Sequence, residues 1–463
     1  MVYNTPILVL VNVISIGYND CIMKRHQETY LSLWYKKSDR RPLIIRGARQ
    51  VGKSTLVRNF CKNNQLNLLE INLEKLKLKS FSKSQVEISD VLDEIQLVSK
   101  MRISSSAVVF LDEIQEQPEL LKFLRFFYEE RQDIAVIAAG SLLEIVLRDE
   151  QFSFPVGRVE FMHMGPMLFS EFLMANNHDF LLEKIQANEF SEQVIEQANM
   201  QFRNYLYVGG MPQAVKTFVT EKSLVRVRDI QEQILQAYIA DFPKYNSRIN
   251  YDRIQRIFYA AVISIGKKLI FQKLDSQSKS REIRRVVELL FDARILLNCI
   301  HSDGNMVPLM GESDLSIQKV FFLDVGLVNC LLRLDIDIID SELKNQFSTK
   351  GMIAEQFVAQ HLAYRGKYTA EPKLFYWLRD KGSQKGEVDF LIEEKSEIIP
   401  IKVKSSSAGH MKSLFYFAKE KNKTSAIKLA MEKPSVLKVS HLIEKKNIKL
   451  KLKTLPIWFA EFL

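Results

Sequence analysis

Apolar and polar positions along this chain follow two rhythms. Residues 41–45 (RPLII) read as the entry into a buried strand, and short unbroken apolar runs stand at 107–111 (AVVFL) and 134–139 (IAVIAA). Their length and lack of polar interruption predict strands buried on both faces. Between them the spacing changes to three and four. Leu56, Val57 and Phe60 share one helical face, and Leu120, Leu121, Leu124 and Phe127 share another within residues 118–130. Strands alternating with helices over residues 40–165 predict a parallel sheet covered on both sides, so the expected fold class is α/β.

Further along, residues 193–207 read as a helix stopped by Gly209-Gly210-Met211-Pro212. Residues 251–265 place Ile254, Ile257, Phe258, Ala261 and Val262 on one side. Residues 281–292 do the same with Ile283, Val286, Val287, Leu289 and Leu290. Short strands are expected at 295–299 and 320–323. Helix, turn, helix, short strands is a winged-helix-like order. Arg281, Arg284 and Arg285 sit on the polar face of its second helix, where phosphates would be contacted. A helix at 351–364 and strands at 374–378, 386–392 and 398–404 complete the pattern.

Charge changes the picture at one end. Residues 401–463 carry 14 Lys and 4 Glu, so the whole formal net charge of +10 lies there, and the first 400 residues balance. At 47% hydrophobic and 26% charged, the 463 residues exclude a disordered or collagen-like chain and suit about three domains. Cys21, Cys61, Cys299 and Cys330 form no CxxC pair and read as thiols of a reducing cytoplasm. No apolar run reaches the roughly 18 residues that cross a bilayer, so no membrane partner is expected. Residues 7–16 are mostly apolar with no Lys or Arg before them, and Met23-Lys24-Arg25 opens a polar helix. Met23 is the expected natural start and residues 1–22 an extension upstream of it.

The first chemistry lies after the first strand. Gly47-Ala48-Arg49-Gln50-Val51-Gly52-Lys53-Ser54 is GxxxxGK[ST] in full, between a strand and a helix. Gly47 and Gly52 let backbone N–H groups turn toward phosphate oxygens, and the helix N-terminus adds positive charge. Lys53 should reach the β- and γ-phosphates. The Ser54 hydroxyl should ligate Mg²⁺, and Thr55 is a candidate α-phosphate contact. ATP and Mg²⁺ are the expected cofactors. Asp112-Glu113 end the second buried strand, where open parallel sheets bind ligands. Asp112 would hold the metal shell and Glu113 would orient or deprotonate the attacking water. Ser141, at the end of the third run, is a candidate γ-phosphate sensor or the N-cap of the next helix.

GARQVGKST, VVFLDEIQ, AAGSLLE, FPVGRVEF, YLYVGGMPQAV and FFLDVGL together resemble prokaryotic ATP-binding proteins of the AAA superfamily that carry a C-terminal domain of unknown function. The resemblance spans about residues 23–407. It implies a helical lid over the nucleotide and makes Arg158 and Arg203 candidate phosphate-sensing arginines. It also supports the winged-helix-like segment.

Residues 351–404 resemble the restriction-endonuclease-like fold. There a helix Glu and a strand Asp bind divalent metal with a Glu-x-Lys pair. Glu355 matches the helix acid, Asp389 the strand acid and Lys404 the catalytic lysine. The metal-binding Glu is replaced by Lys402. Unit charges about 4 Å apart at an effective dielectric near 20 interact by roughly 4 kcal/mol, and here the sign is reversed. Glu387 and Glu393 are candidate substitutes. The expected site is a degenerate nuclease-like one that does not cut.

The domains expected are an extension (1–22), a P-loop ATPase core (23–165), a helical lid (166–224), a winged-helix-like domain (225–345) and a basic nuclease-like domain (346–463). Three functions compete: a Mg²⁺-dependent ATPase driving conformational change, the same motor acting on DNA, and an ATP-dependent switch or scaffold for a protein partner. The oligomeric state is not legible in these motifs.

Overall fold

A computed structural model describes residues 23–83, 85–144, 157–245, 249–344, 351–380, 385–403 and 411–463. The extension over 1–22, the helix expected beyond Glu144, and Lys404 lie outside the described residues.

After α1 (Gln27–Tyr35) the chain builds a parallel sheet. Its strands are β1 (Leu43–Arg46), β2 (Asn67–Asn72), β3 (Ala107–Asp112), β4 (Ala135–Gly140) and β5 (Glu160–His163), in the order β2-β3-β4-β1-β5. β3 and β4 are buried at every position, as unbroken apolar runs require. Alternation across the pleat splits the core in two. Leu43, Ile45, Val108 and Phe110 join the side of α2 (Lys53–Asn63). Ile44, Val109 and Leu111 join the side of α3 (Ile88–Ser99) and α4 (Glu119–Glu130). In register, Arg46 lies beside Gly140 and Asp112 beside Ala139. The carboxyl ends of β1, β3 and β4 therefore converge on one edge.

A helical part follows: α5 (Phe169–Ala175), α6 (Asp179–Gln186), α7 (Glu192–Val208), α8 (Pro212–Glu221), α9 (Leu224–Tyr245), α10 (Tyr251–Ile263), the short α11 (Phe271–Leu274) and α12 (Ser280–Asp292). The hairpin β6 (Leu296–Ser302) and β7 (Ser313–Phe322) comes next. Then come α13 (Val325–Leu331), α14 (Ile336–Lys344), α15 (Gly351–Tyr364), β8 (Leu374–Arg379), β9 (Gly386–Glu394), β10 (Glu397–Val403), α16 (Lys412–Lys421), β11 (Ser425–Ala430), β12 (Ser435–Ile443) and β13 (Lys446–Pro456).

The helix, helix, hairpin order of the winged-helix-like expectation is present, but the hairpin does not close a unit of its own. Cys299 to His301 also pair in parallel with Leu374 to Tyr376. The hairpin thus ends a mixed sheet of order β12-β13-β11-β10-β9-β8-β6-β7. The cause is burial: β6 is covered almost throughout, so its second edge needs a backbone partner. Sequence periodicity reports faces, not edges, and could not show this.

α15 joins the two parts. Phe357 makes edge contacts with Phe169, Phe202 and Tyr205. The Phe169 N–H donates to His361 Nε2 at 3.0 Å, so Nδ1 carries the proton toward the Phe357 carbonyl, 2.8 Å away. One apolar core runs without interruption from Leu31 to Ala460.

Candidate nucleotide site and the buried charge cluster

The loop from Gly47 to Gly52 follows β1, and Gly52 ends it at φ +94°, where a side chain would be strained. α2 begins at Lys53, so its first N–H groups face the loop. The Lys53 ammonium is buried and donates to the carbonyls of Gly47 (3.0 Å) and Ala48 (2.9 Å). Burial pulls its pKa down, and Glu113 and Asp112 oppose that pull. The Ser54 hydroxyl donates to Asp112 Oδ2 at 2.8 Å. Asp112 is buried, and that desolvation raises its pKa while Ser54 holds it down.

Glu113 takes a left-handed backbone conformation, φ +53°, uncommon away from glycine. Gln115 Nε2 (2.7 Å) and Ser141 Oγ (3.2 Å) both donate to its Oε2. Ser141 thus lies beside the candidate base, at the end of β4. Strain of this kind concentrates where a site fixes a side chain against its preference.

A cavity of about 430 Å³ opens over the loop. Gly52, Lys53, Ser54 and Thr55 form one wall, and Glu113 borders it. Its size suits a small-molecule ligand. Three other contributors were not found by sequence reasoning. Arg25 lies 6% exposed. Its guanidinium donates to the Val51 carbonyl (2.8 Å), the Gly165 carbonyl (2.7 Å) and Glu171 Oε1 (3.0 Å). Gln213 and Lys216 reach the cavity from the first turns of α8. Arg49 turns away and pairs with Asp241, while Tyr238 donates to its carbonyl at 2.7 Å. Ala48 and Val51 are buried, and Gln50 borders the cavity with a left-handed backbone.

The turn that leads into α8, the helix of Gln213 and Lys216, is fastened to the C-terminal part. The Gly210 N–H donates to Asp324 Oδ2 at 2.6 Å, and Leu327 N–H to Asp324 Oδ1 at 3.0 Å. Gly326 packs so closely that a Cβ there would lie 2.6 Å from the Val208 oxygen. Asp324 is fully buried, and that desolvation pushes its pKa up to about 6. The YLYVGGMPQAV and FFLDVGL segments are therefore two halves of one joint.

The candidate sensors do not line this cavity. Arg158 pairs with Glu129 at 2.9 Å, largely in solvent. Arg203 holds Asp340 in a two-pronged pair. A larger cavity of about 570 Å³ lies between α12, β6 and residues 371–373. Its walls mix Arg284, Arg294 and Lys373 with Glu144, Glu288, Asp292 and Glu371, and contain no residue of the phosphate loop. Arg281, Arg284 and Arg285 are all exposed, and Arg284 also lies over the Phe271 ring.

The nuclease-like residues do come together, though around lysines. Lys402 pairs with Asp389 and donates to the Glu387 carbonyl at 3.3 Å. The Val403 N–H donates to Asp389 Oδ2 at 2.7 Å. Lys319, fully buried on β7, pairs with Glu387 and stands 3.9 Å from Glu355. Its ammonium also faces the Tyr376 ring at 4.9 Å. Burial pulls Lys319 down, but Glu355 and Glu387 outweigh it and hold its pKa above the usual lysine range. Glu355 Oε2 has no hydrogen-bond partner; burial and then Asp389 push that carboxyl upward. Glu393, one candidate substitute, instead accepts the Leu309 N–H. Among the described residues no group of His, Cys, Asp and Glu is arranged to hold a metal. The ammoniums of Lys319 and Lys402 stand among the carboxylates.

Family comparison agrees with the first part of this picture. Residues 39–173 match the model of the AAA domain family. Residues 199–337 and 350–455 match two domains of unknown function, DUF8612 and DUF4143. No curated protein matches the chain. Among solved structures, the chain is similar to the Walker-type ATPase PABY2304 of Pyrococcus abyssi, at 14% identity and a TM-score of 0.43, over 67% of this chain and 96% of that one. It is also similar to the Thermotoga maritima RuvB Holliday junction branch migration motor (14%, 0.28, 58% and 87%). A third is the Aeropyrum pernix ORC1 protein in complex with DNA (10%, 0.26, 70% and 94%). The N-terminal part of this chain has a parallel-sheet P-loop fold and matches the AAA domain model, and a helical segment and a mixed-sheet domain follow it. No helix among the described residues is long and apolar enough to cross a membrane.

Proposed function

We propose that the chain is a Mg²⁺-dependent ATPase whose turnover moves the attached helical and C-terminal parts. The observation that carries this is the convergence of Lys53, the Ser54–Asp112 pair and the doubly anchored Glu113 on one cavity. That donor set fits a nucleoside triphosphate with its cation: a buried ammonium, a helix N-terminus, and a hydroxyl beside a carboxylate. Ser54 and Asp112 would hold Mg²⁺, which supplies charge neutralisation between phosphates. The loop amides and Lys53 bind and orient the phosphate chain. Glu113, its Oε2 fixed by Gln115 and Ser141, accepts a proton from the attacking water. Lys216 adds a positive charge from the lid, on the helix that follows the turn fastened to Asp324, and so gives nucleotide state a route to the C-terminal sheet. Arg158 and Arg203 would act as sensors only if a second copy or a rearrangement released them from Glu129 and Asp340.

Phosphate release from purified protein tests the reading. Lys53→Ala should abolish turnover and weaken ATP binding. Glu113→Gln should keep binding and lose turnover. Turnover unchanged in both variants would refute it.

A second reading concerns the C-terminal part, and the Lys402–Asp389 and Lys319–Glu387 pairs favour it. The restriction-endonuclease-like domain would be a non-cutting module, used as a scaffold for DNA or a protein client. ATP turnover measured with and without duplex DNA separates the two clients.

A further inference from the structure

We propose that the outer face of the β12–β13 ribbon binds the phosphate backbone of duplex nucleic acid, without base sequence preference. This goes beyond the ATPase reading and does not depend on it.

The ribbon is a hairpin at the end of the mixed sheet, turned by Glu444 and Lys445, both left-handed. Within residues 446–456 (KNIKLKLKTLP), positions 447–454 alternate between exposed and buried. Ile448, Leu450 and Leu452 point inward and pack with Leu414, Phe415 and Phe417 of α16. Lys449, Lys451 and Lys453 point outward and are exposed. Alternation spaces them by about 6.8 Å along the strand. Register then adds a fourth charge: Lys438 of β12 pairs directly with Lys451.

That pairing is the telling feature. Like charges facing each other across an antiparallel pair destabilise it. An edge strand kept soluble by lysines does not need them in register. Among the described residues, no carboxylate pairs with Lys438, Lys449, Lys451 or Lys453, and Glu444 at the turn is taken by Lys419. An anionic ligand lying along the ribbon would relieve the repulsion. A two-stranded ribbon has the width that a duplex major groove admits, and the outward face offers charges but no aromatic ring to read or stack on a base. Binding should therefore be electrostatic and sequence-independent.

The test uses the full chain and a labelled 20-base-pair duplex in fluorescence anisotropy, at several salt concentrations. Four phosphate contacts contribute about −3.6 to the slope of log affinity against log salt, so a fourfold rise in salt removes ~10²-fold of affinity through this face. Replacing Lys438, Lys449, Lys451 and Lys453 together by Ser should flatten the slope by about that amount. Replacing the same four by Arg should restore binding. A melting temperature no lower than that of the unaltered chain and an unchanged ATP affinity verify the fold of each variant, and Lys438→Ser with Lys451→Ser replaces the serine quadruple if that one fails to fold. No duplex binding by the unaltered chain at 50 mM salt overturns the proposal. So does an unchanged slope in the serine variant, or binding to phosphatidylserine vesicles in place of the duplex.

Discussion

Arg25→Met should damage fold and nucleotide site together. The Arg25–Glu171 pair is buried, with side chains 4% and 1% exposed. Removing one partner of such a pair costs about 3–5 kcal/mol, because the other charge stays buried. Glu171 keeps two backbone donors, from His26 (2.8 Å) and Leu168 (2.9 Å), which favours the lower end, about 3 kcal/mol. The carbonyls of Val51 and Gly165 each lose a donor as well, at ~1–3 kcal/mol for a buried orphan, though these terms overlap. A total near 4 kcal/mol is a large part of a typical folding stability of about 5–15 kcal/mol, so the variant should fold but unfold at clearly lower urea. Val51 immediately precedes Gly52 and Lys53, so loop geometry should slip and ATP affinity should fall by ~10-fold, about 1.4 kcal/mol. Arg25→Lys should recover only part, since a single ammonium cannot bridge two carbonyls and a carboxylate in the guanidinium's fork. Urea midpoints and titration with a fluorescent ATP analogue are the measurements. An Arg25→Met chain with the unaltered midpoint and affinity would refute the reasoning.

Other predictions follow from the same geometry. Lys402→Glu combined with Lys319→Met should convert the charge cluster into a Mn²⁺ site, seen by calorimetry; no heat of binding in the double variant would count against the internal ammoniums keeping metal out. Asp324, pushed up to about 6, and Glu461, up to about 7, both have raised carboxyl pKa values. The stability they permit is fully present below the ordinary carboxylate range and is lost as pH rises through 6 to 7. Asp324→Asn should therefore flatten the fall in melting temperature between pH 5 and pH 8, and parallel curves would contradict this. Arg203→Ala should leave single-copy ATP binding within twofold, since Asp340 holds that side chain away from the cavity; a tenfold loss would reinstate it as a sensor.

What the sequence disclosed and what it hid divide by range. The loop was legible because its parts are consecutive and glycine, lysine and serine each have one job there. Asp112 and Glu113 were legible because an apolar run of strand length ends on them. Arg25 was not, since its partners Val51, Gly165 and Glu171 lie 26, 140 and 146 positions away. Lys319 sits in a half-apolar strand and looks like an ordinary surface alternation until β9 brings Glu387 to it. Lys216 gave one weak signal, a basic residue one turn beyond a helix start that follows paired glycines. Helix, helix and hairpin follow one another where periodicity placed them, but the merger of the hairpin with the C-terminal sheet depends on edge pairing that periodicity cannot report.

The unbroken core has a genetic corollary. Trp458 Nε1 donates to Asn199 Oδ1 at 2.9 Å, and the Ser170 N–H donates to Glu461 Oε2 at 3.0 Å. Phe459 and Trp458 also touch Phe190. A frameshift or stop that removes only residues 457–463 would leave every phosphate-loop residue encoded. It would still strip the floor from beneath α5 and α7, on which the lid turn rests. In a mutational screen, lesions at the far end of the reading frame should therefore score with those in the phosphate loop.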